Sequence, residues 1–139
     1  MYEKQLEAME RLFGVMDRLR VECPWDREQT FESLRNNTIE ETFELTDAIT
    51  DGDMDGIREE LGDLLLHIVF YSRMGAEQGR FDIGDVANAL CDKLIYRHPH
   101  VYGNVEADSA GQVIHNWEEL KLAEKRKKDR KARKGVLSG

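Results

Sequence analysis

Two acidic segments, EETFE at residues 40–44 and EELGD at residues 59–63, lie on either side of a turn-like stretch around Gly52. Each lies in a region of helical periodicity, and each carries two acids three residues apart, which places them on one helical face. If the two helices fold back on each other near Gly52, these faces meet. The sequence therefore predicts an antiparallel helical hairpin with four facing carboxylates: Glu41 and Glu44 on one helix, Glu60 and Asp63 on the other.

The predicted hairpin is strongly negative, because residues 38–63 contain ten acids and a single base, Arg58. Carboxylates at roughly 4 Å repel each other by about 1 to 4 kcal/mol per pair, depending on the effective dielectric. Runs of acids usually mark a solvated helix face. Glu41 and Glu60 instead point with the apolar stripes of their helices, where an acid is costly unless it is paired or binds a metal. The solvated interpretation suits four other acids: Glu40, Asp47, Asp51 and Glu59.

Composition favours one helical domain with a modest core. The chain has 139 residues, of which 40% are hydrophobic and 35% charged, with only two prolines. No run of 18 apolar residues and no apolar signal core is present, so we expect no membrane span and a cytoplasmic location. Cys23 and Cys91 lack metal-binding or redox spacing and are expected to be reduced thiols.

The apolar pattern predicts an all-α helical bundle. Helices are expected at residues 2–20, from a cap at Asn37 or Thr38 to residue 50, from Asp53 or Met54 to residue 78, and at residues 83–97, followed by a last helix from Ser109. Residues 30–35 are expected to form one short turn or helix, and residues 97–104 a loop. Thr38 and Glu41 have capping-box spacing, and so do Ser109 and Gln112. Gly79 is predicted to end the third helix and Asp82 to cap the fourth, with inward apolar side chains at four positions: Ile83, Val86, Leu90 and Leu94.

The charge also separates the chain into an acidic body and a basic end. The net charge is −8, yet the ten residues 125–134 contain eight bases and one acid. We therefore predict a domain at residues 1–124 and a basic, flexible tail or linker to an absent second domain at 125–139. An acidic body without a base-reading motif makes nucleic acid an unexpected partner.

Three metal chemistries compete for the acids. DGDMDG at residues 51–56 matches the start of an EF-hand loop, but its twelfth position is Gly62, where calcium needs a glutamate. A di-iron carboxylate bundle needs Glu-x-x-His pairs, which the chain lacks. The all-oxygen set favours Mg²⁺ or Mn²⁺, which usually act on phosphate esters and anhydrides. His67, one turn after Asp63, fits a core or ligand-supporting histidine better than a direct ligand.

Phosphate groups also need fixed cations. Lys93 and Arg97 are four residues apart near the end of the fourth predicted helix, where they either reach one anion together or are solvated charges that complement the helix dipole. Trp117 either stacks on a nucleobase or fills the core.

These residues belong to a set of motifs that resembles the MazG branch of the all-α nucleoside triphosphate pyrophosphohydrolases. The acid pattern is E-E-x-x-E followed, after 15 residues, by E-x-x-D. The resemblance covers about residues 6–125. The further motifs are CPWD at 23–26, QTF at 29–31, ELGDLL at 60–65, GRF at 79–81, RHPHV at 97–101 and NWE at 116–118.

The resemblance implies Mg²⁺-dependent hydrolysis of a nucleoside triphosphate to the monophosphate and pyrophosphate, by a homodimer whose subunits complete each other's core. One departure is that Gly56 stands where some members of the family have a lysine. Full-length members often carry a second similar domain, which leaves open that this chain is a fragment. The implied roles are metal ligation by Glu41, Glu44, Glu60 and Asp63, phosphate contacts by Lys93 and Arg97, and a base contact by Trp117.

The expected reaction is attack of water on a phosphorus atom of the triphosphate. Glu40, turned about 100° from the ligand face, either orients or deprotonates that water or is a solvated surface residue. A shallow stacking site fits broad base specificity. The alternative is a helical regulatory module that binds a partner and keeps a vestigial metal site; it would turn over no nucleoside triphosphate.

Overall fold

The computed structural model describes residues 1–104 and 106–138, and all regular structure within them is helical. This confirms the predicted all-α fold. Two compact units, Met1–Val86 and Ala87–Gly139, divide the chain. The helices are α1 (Glu3–Glu22), α2 (Pro24–Glu28), α3 (Phe31–Thr50), α4 (Met54–Glu77), α5 (Ile83–Arg97), α6 (Pro99–Tyr102) and α7 (Ala110–Ser138).

The core of the first unit lies between α1, α3 and α4. Its most buried side chains number one on α1, one on α3 and three on α4, and together with half-buried neighbours three or four residues away they give each helix one apolar stripe. Phe13, Phe31, Leu65 and other half-buried apolar side chains pack around them. The buried set is Met16, Leu34, Val69, Phe70 and Met74.

Arg20 joins the short helix α2 to the bundle. Its guanidinium donates to the backbone carbonyls of Asp26 at 2.6 Å and Gln29 at 2.9 Å. The same group forms an ion pair with Glu77 of α4, with Nε 2.9 Å from Oε2. Because a rigid guanidinium can serve several acceptors at once, Arg20 links the CPWD segment to its own helix α1 and to α4. Its hydrogen bond to Glu77, and then its charge, lower the pKa of that carboxyl group.

The helix α3 begins well before the predicted start. Thr30 is its N-cap, since Thr30 Oγ1 accepts from the Ser33 N–H at 3.1 Å and Ser33 Oγ accepts from the Thr30 N–H at 2.8 Å. The predicted start at Asn37 or Thr38 was wrong. The reciprocal Thr30–Ser33 cap satisfies the free N–H groups of the first turn instead, and Thr38 lies in the helix interior.

The turn between α3 and α4 confirms the predicted hairpin. Gly52 has a φ of 66°, a left-handed conformation that costs glycine little. Asp53 then caps α4, because its Oδ1 accepts from the Gly56 N–H at 3.1 Å. The two long helices pack against each other as an antiparallel pair, and this pair sets the positions of the acidic motifs.

The end of α4 and the start of α5 also follow the prediction. Gly79 has a φ of 67° directly after the last turn of α4. Asp82 caps α5, with the Asp85 N–H 2.8 Å from Asp82 Oδ1. Ile83 is half-buried, but the other three predicted inward side chains are not: Val86, Leu90 and Leu94 are 38%, 52% and 40% exposed. The prediction was wrong at these three positions, because none of them belongs to the apolar core or packs against it.

In the second unit, the segment expected to be a loop contains the short helix α6, which starts at Pro99. Pro99 fits there because the first turn of a helix needs no N–H from it. Ser109 Oγ accepts from the Gln112 N–H at 3.2 Å, as predicted for the start of α7. This helix runs through the basic segment to Ser138, while Gly139 lies outside the described residues. The domain boundary at residue 124 stays a prediction.

Among the described residues, no helix is long and apolar enough to cross a membrane. Cys23 is half-buried and Cys91 exposed, and both are free thiols.

Candidate metal centre

The α3–α4 hairpin brings three of the four predicted acids together. Carboxylate oxygens of Glu41 on α3 and of Glu60 and Asp63 on α4 all lie within 4.8 Å of one another. This is the distance range in which several oxygens share one cation, since each ligand oxygen lies about 2 to 2.6 Å from Mg²⁺ or Ca²⁺. We call these three residues the acid cluster.

The carboxylates of the acid cluster are held in an unfavourable environment. Burial raises the pKa of Glu41, and the charges of Glu44 and Asp63 raise it further. Burial is also the main cause of the raised pKa of Glu60, and the charge of Glu44 raises it further. Among the described residues, no arginine, lysine or histidine forms an ion pair with any of these four acids, so the repulsion is uncompensated by the chain itself.

Two oxygens in the acid cluster are buried and have no hydrogen-bond partner: Oε2 of Glu41 and Oε2 of Glu60. Buried polar atoms are normally paired, so unpaired carboxylate oxygens beside other carboxylates fit a positively charged occupant. A hard divalent cation fits this all-oxygen donor set better than a soft metal, which prefers sulfur or imidazole.

The other two acids of the first motif, Glu40 and Glu44, are exposed and lie outside the acid cluster. Glu44 is exposed and is not among the three residues whose oxygens converge, although its charge raises the pKa of both Glu41 and Glu60. It therefore lies close enough to the acid cluster to act on its charges, but outside the set of converging oxygens. Glu40 is exposed on the neighbouring face of α3.

A polar network next to the acid cluster was not predicted from the sequence. Thr38 Oγ1 lies 2.6 Å from His67 Nδ1, and the Tyr71 hydroxyl contacts the same oxygen. His67 is 6% exposed, and its burial lowers its pKa. The sequence signal for this network was the position of His67 one turn after Asp63; nothing in the spacing pointed to Thr38 or Tyr71 as its partners.

The residues implied as phosphate and base contacts lie in the second unit. Arg97 forms an ion pair with Glu124, with Nη2 2.7 Å from Oε2 and Nε 3.2 Å from Oε1. The two side chains are 16% and 26% exposed. Each partner stabilises the charge of the other, so the pKa of Arg97 is raised and that of Glu124 lowered. Sequence reasoning missed Glu124.

Lys93 is exposed one turn before Arg97. It lines a cavity of about 350 Å³ together with Tyr96, the acids Asp92 and Glu124, and three lysines of α7: Lys127, Lys128 and Lys131. Four lysines against two acids give this lining a net positive charge, which favours anions.

Trp117 is half-buried rather than fully enclosed, and its Nε1 has no hydrogen-bond partner although the atom is buried. The indole and the His98 ring pack edge to face, with ring centroids 5.3 Å apart. The Lys121 ammonium lies 5.1 Å from the ring centroid, a cation–π contact. These contacts fix the orientation of the indole without burying it in the core.

Comparisons with known proteins point to the same family as the sequence motifs. Residues 29–102 match the MazG nucleotide pyrophosphohydrolase domain. The chain is 45% identical over 126 residues to the nucleoside triphosphate pyrophosphohydrolase of Escherichia coli (strain K12). The aligned region covers 88% of this chain and 48% of that protein. It is 47% identical over 121 residues to the nucleoside triphosphate pyrophosphohydrolase/pyrophosphatase MazG of Thermotoga maritima. That alignment covers 86% of this chain and 46% of the relative.

The chain therefore spans about half the length of these two relatives. A solved structure described as a mazG-related protein from Thermotoga maritima has the same fold, with a TM-score of 0.68 at 24% identity over 81% of this chain and 98% of that chain. The family resemblance found in the motifs is confirmed: the chain belongs to the MazG nucleotide pyrophosphohydrolase domain family.

Proposed function

We propose that this chain hydrolyses nucleoside triphosphates to the monophosphate and pyrophosphate with the help of a divalent cation, Mg²⁺ or alternatively Mn²⁺. The observation that carries the proposal is the acid cluster, with its converging oxygens and two buried, unpaired carboxylate oxygens. The names of the relatives at 45% and 47% identity support the same reaction.

We assign the cation to Glu41, Glu60 and Asp63, with Glu44 as a fourth ligand. Glu41 comes from α3 and the other two from α4, so the packing of the hairpin holds their oxygens close before substrate arrives. When bound, the cation neutralises phosphate oxygens and lowers the pKa of a coordinated water. The chain's own contribution is to keep unpaired carboxylates half-buried, where a cation is attracted strongly because the effective dielectric is low.

Glu40 is our candidate for orienting or deprotonating the attacking water. Its support is position: it precedes Glu41 on α3, and its side chain is exposed. A general base must reach the proton it removes within hydrogen-bond distance or through one water. Glu40 therefore acts on substrate bound at the hairpin surface rather than from within the bundle.

For the substrate we assign phosphate contacts to Lys93 and Arg97 and base stacking to Trp117. A guanidinium already anchored by Glu124 keeps donors free for a phosphate while its orientation is fixed. Stacking on an indole is tolerant of base identity because every base has a π-face. We therefore propose broad base specificity.

We also propose that the active form is a homodimer. Its support is the apolar surface that the single chain leaves exposed, which includes Phe43 at 66% and Leu90 at 52%. Large exposed apolar patches usually mark interaction surfaces, and a second copy of the same helices is a complementary occupant.

The test is a panel of canonical and damaged nucleoside triphosphates, incubated with Mg²⁺, with Mn²⁺, or with a chelator. Chromatography and a pyrophosphate assay should show the monophosphate and pyrophosphate in equal amounts, with no turnover in chelator. Diphosphate and orthophosphate as the only products would exclude attack at the α–β link. No turnover of any nucleotide with either metal, in a chain that still binds a protein partner, would favour the regulatory module.

A further inference from the structure

His67 is the most buried titratable residue among the described residues, and the reaction proposed above does not use it. It is 6% exposed on α4, one turn after Asp63. The four residues from Asp63 to His67 correspond to about 6 Å along the helix axis. Neither ring nitrogen belongs to the group of atoms within 4.8 Å of one another that forms the acid cluster. His67 is therefore not one of the converging donors, and a contact between its ring and a cation in the acid cluster would pass through a water molecule.

The network around His67 determines which ring nitrogen carries the proton. Thr38 Oγ1 is 3.1 Å from the Leu34 carbonyl oxygen, 2.6 Å from His67 Nδ1, and in contact with the Tyr71 hydroxyl. A carbonyl can only accept, and a hydroxyl has one proton and two lone pairs. All three bonds form together only if Thr38 donates to Leu34 and accepts from both His67 Nδ1–H and Tyr71 O–H.

With the proton of a neutral ring on Nδ1, Nε2 carries a free lone pair. Burial lowers the pKa of His67, which favours the neutral ring, although the charge of Asp63 acts in the opposite direction. Nε2 has no hydrogen-bond partner among the described residues, and it is not one of their fully buried unpaired atoms. A water molecule can therefore reach it.

We infer that His67 Nε2 accepts a hydrogen bond from a water molecule on the cation held by the acid cluster, and that Thr38 and Tyr71 are positioning residues that fix the imidazole for this contact. The inference rests on the metal centre proposed above. Partners just outside a metal's ligands orient those ligands, and losing one costs about 10- to 100-fold in metal affinity or activity. Thr38 lies about one turn before Glu41 on α3, and its contacts with His67 and Tyr71 connect α3 to α4 beside the acid cluster.

Two substitutions of His67 separate this role from a structural one. In His67→Gln the amide reaches the former position of Nε2, whereas in His67→Asn it replaces Nδ1 and keeps a donor for Thr38. The measurement is calorimetric binding of Mn²⁺, and then Mg²⁺, to the nucleotide-free chain, with metal-free thermal unfolding alongside. We expect His67→Asn to raise the Mn²⁺ Kd about 10- to 100-fold, and His67→Gln to stay close to the wild-type value.

A second pair of variants tests the positioning residue. Thr38→Val removes the hydroxyl with little change in shape and should weaken Mn²⁺ binding in the same way, whereas Thr38→Ser should not. The matched control is Thr50→Val on the same helix, where Thr50 Oγ1 donates only to the Thr46 carbonyl at 3.0 Å. This control should bind Mn²⁺ like the wild type.

The opposite ranking, with His67→Asn like the wild type and His67→Gln impaired, would show that the ring serves only the Thr38 bond and would overturn the inference. Equal Mn²⁺ affinity in every folded variant would also overturn it while leaving the proposed function intact. If no His67 variant folds, the Thr38 pair decides. A wild-type chain that binds no Mn²⁺ or Mg²⁺ would remove both the proposed metal centre and this inference.

Discussion

Arg97 and Glu124 are joined by two contacts, with Nη2 2.7 Å from Oε2 and Nε 3.2 Å from Oε1, which link the end of α5 to α7. This pairing occupies one edge of the guanidinium fork and leaves the remaining N–H donors for another acceptor. The arginine implied as a phosphate contact is thus oriented by a carboxylate that the family motifs did not point to.

The first prediction concerns this pair and Lys93. Lys93→Ala should raise the KM for triphosphates about 10- to 100-fold, the equivalent of one charged hydrogen bond, and Arg97→Ala should act in the same direction. Arg97→Lys should not bind triphosphates like the wild type, because an ammonium lacks the planar fork that pairs with Glu124 and keeps a fixed set of donors for a phosphate. Steady-state kinetics measure the effect, and Lys4→Ala, on an exposed part of α1, is the control. Wild-type KM values in both alanine variants would contradict the phosphate assignment.

The second prediction concerns the acid cluster. Glu41→Gln and Glu60→Gln should each abolish turnover, because an amide binds a hard cation more weakly than a carboxylate does. Both should raise the thermal stability of the metal-free chain, since each removes one of several repelling charges. Glu59→Gln, an exposed acid next to Glu60, is the control and should keep its activity. Full turnover in both cluster variants would rule out this site.

The third prediction follows from the raised pKa values of Glu41 and Glu60. In the pH range above the ordinary glutamic acid pKa, the folded chain holds more protons than the unfolded chain, so stability falls as pH rises through the raised pKa values. Unfolding of the chelated protein between about pH 4 and 7 should show this fall, reduced in Glu41→Gln. Saturating Mg²⁺ should remove the fall, because a cation favours the ionised carboxylates. A metal-free stability that rises steadily over this window would contradict the prediction.

The fourth prediction separates two roles of Trp117. If the indole stacks on the base, Trp117→Ala should flatten the differences in kcat/KM among nucleotides with little loss of stability. If the indole fills the core, the same change should cost about 3 to 5 kcal/mol of stability and leave base preference unchanged. We expect the first outcome, because the side chain is only half-buried. Trp25→Ala, at the other tryptophan, which is 56% exposed, controls for loss of an indole.

The fifth prediction concerns assembly. The exposed stripe of α5 contains Val86, Leu90 and Leu94, and a charge placed there should prevent its burial in a dimer. Light scattering after size exclusion should give the mass of a dimer for the wild type and of a monomer for Leu90→Asp. Asn88→Asp adds the same charge at an exposed polar position of α5 and should remain dimeric. A monomeric wild type at micromolar concentration would refute the proposal.

Local signals were sufficient for most helix ends. Gly79 and Asp82 were recognised from their residue types, and both act as predicted, because a left-handed glycine and a capping aspartate use only neighbouring backbone groups. The start of α3 was misplaced for a similar reason. Thr30–Ser33 and Thr38–Glu41 both offer a hydroxyl and a polar partner three residues later, and the choice between them depends on how far Phe31 and Leu34 extend the apolar face into the core.

The convergence of Glu41, Glu60 and Asp63 could be inferred from spacing alone, because a hairpin with one turn at Gly52 has a register that follows from helix geometry. The contacts Thr38–His67, Tyr71–Thr38 and Arg97–Glu124 could not be inferred in this way. Their partners are 27 to 33 residues apart, and neither periodicity nor motif spacing specifies which side chains meet across helices. Such pairs depend on the rotation of each helix about its axis, which packing of the whole core sets.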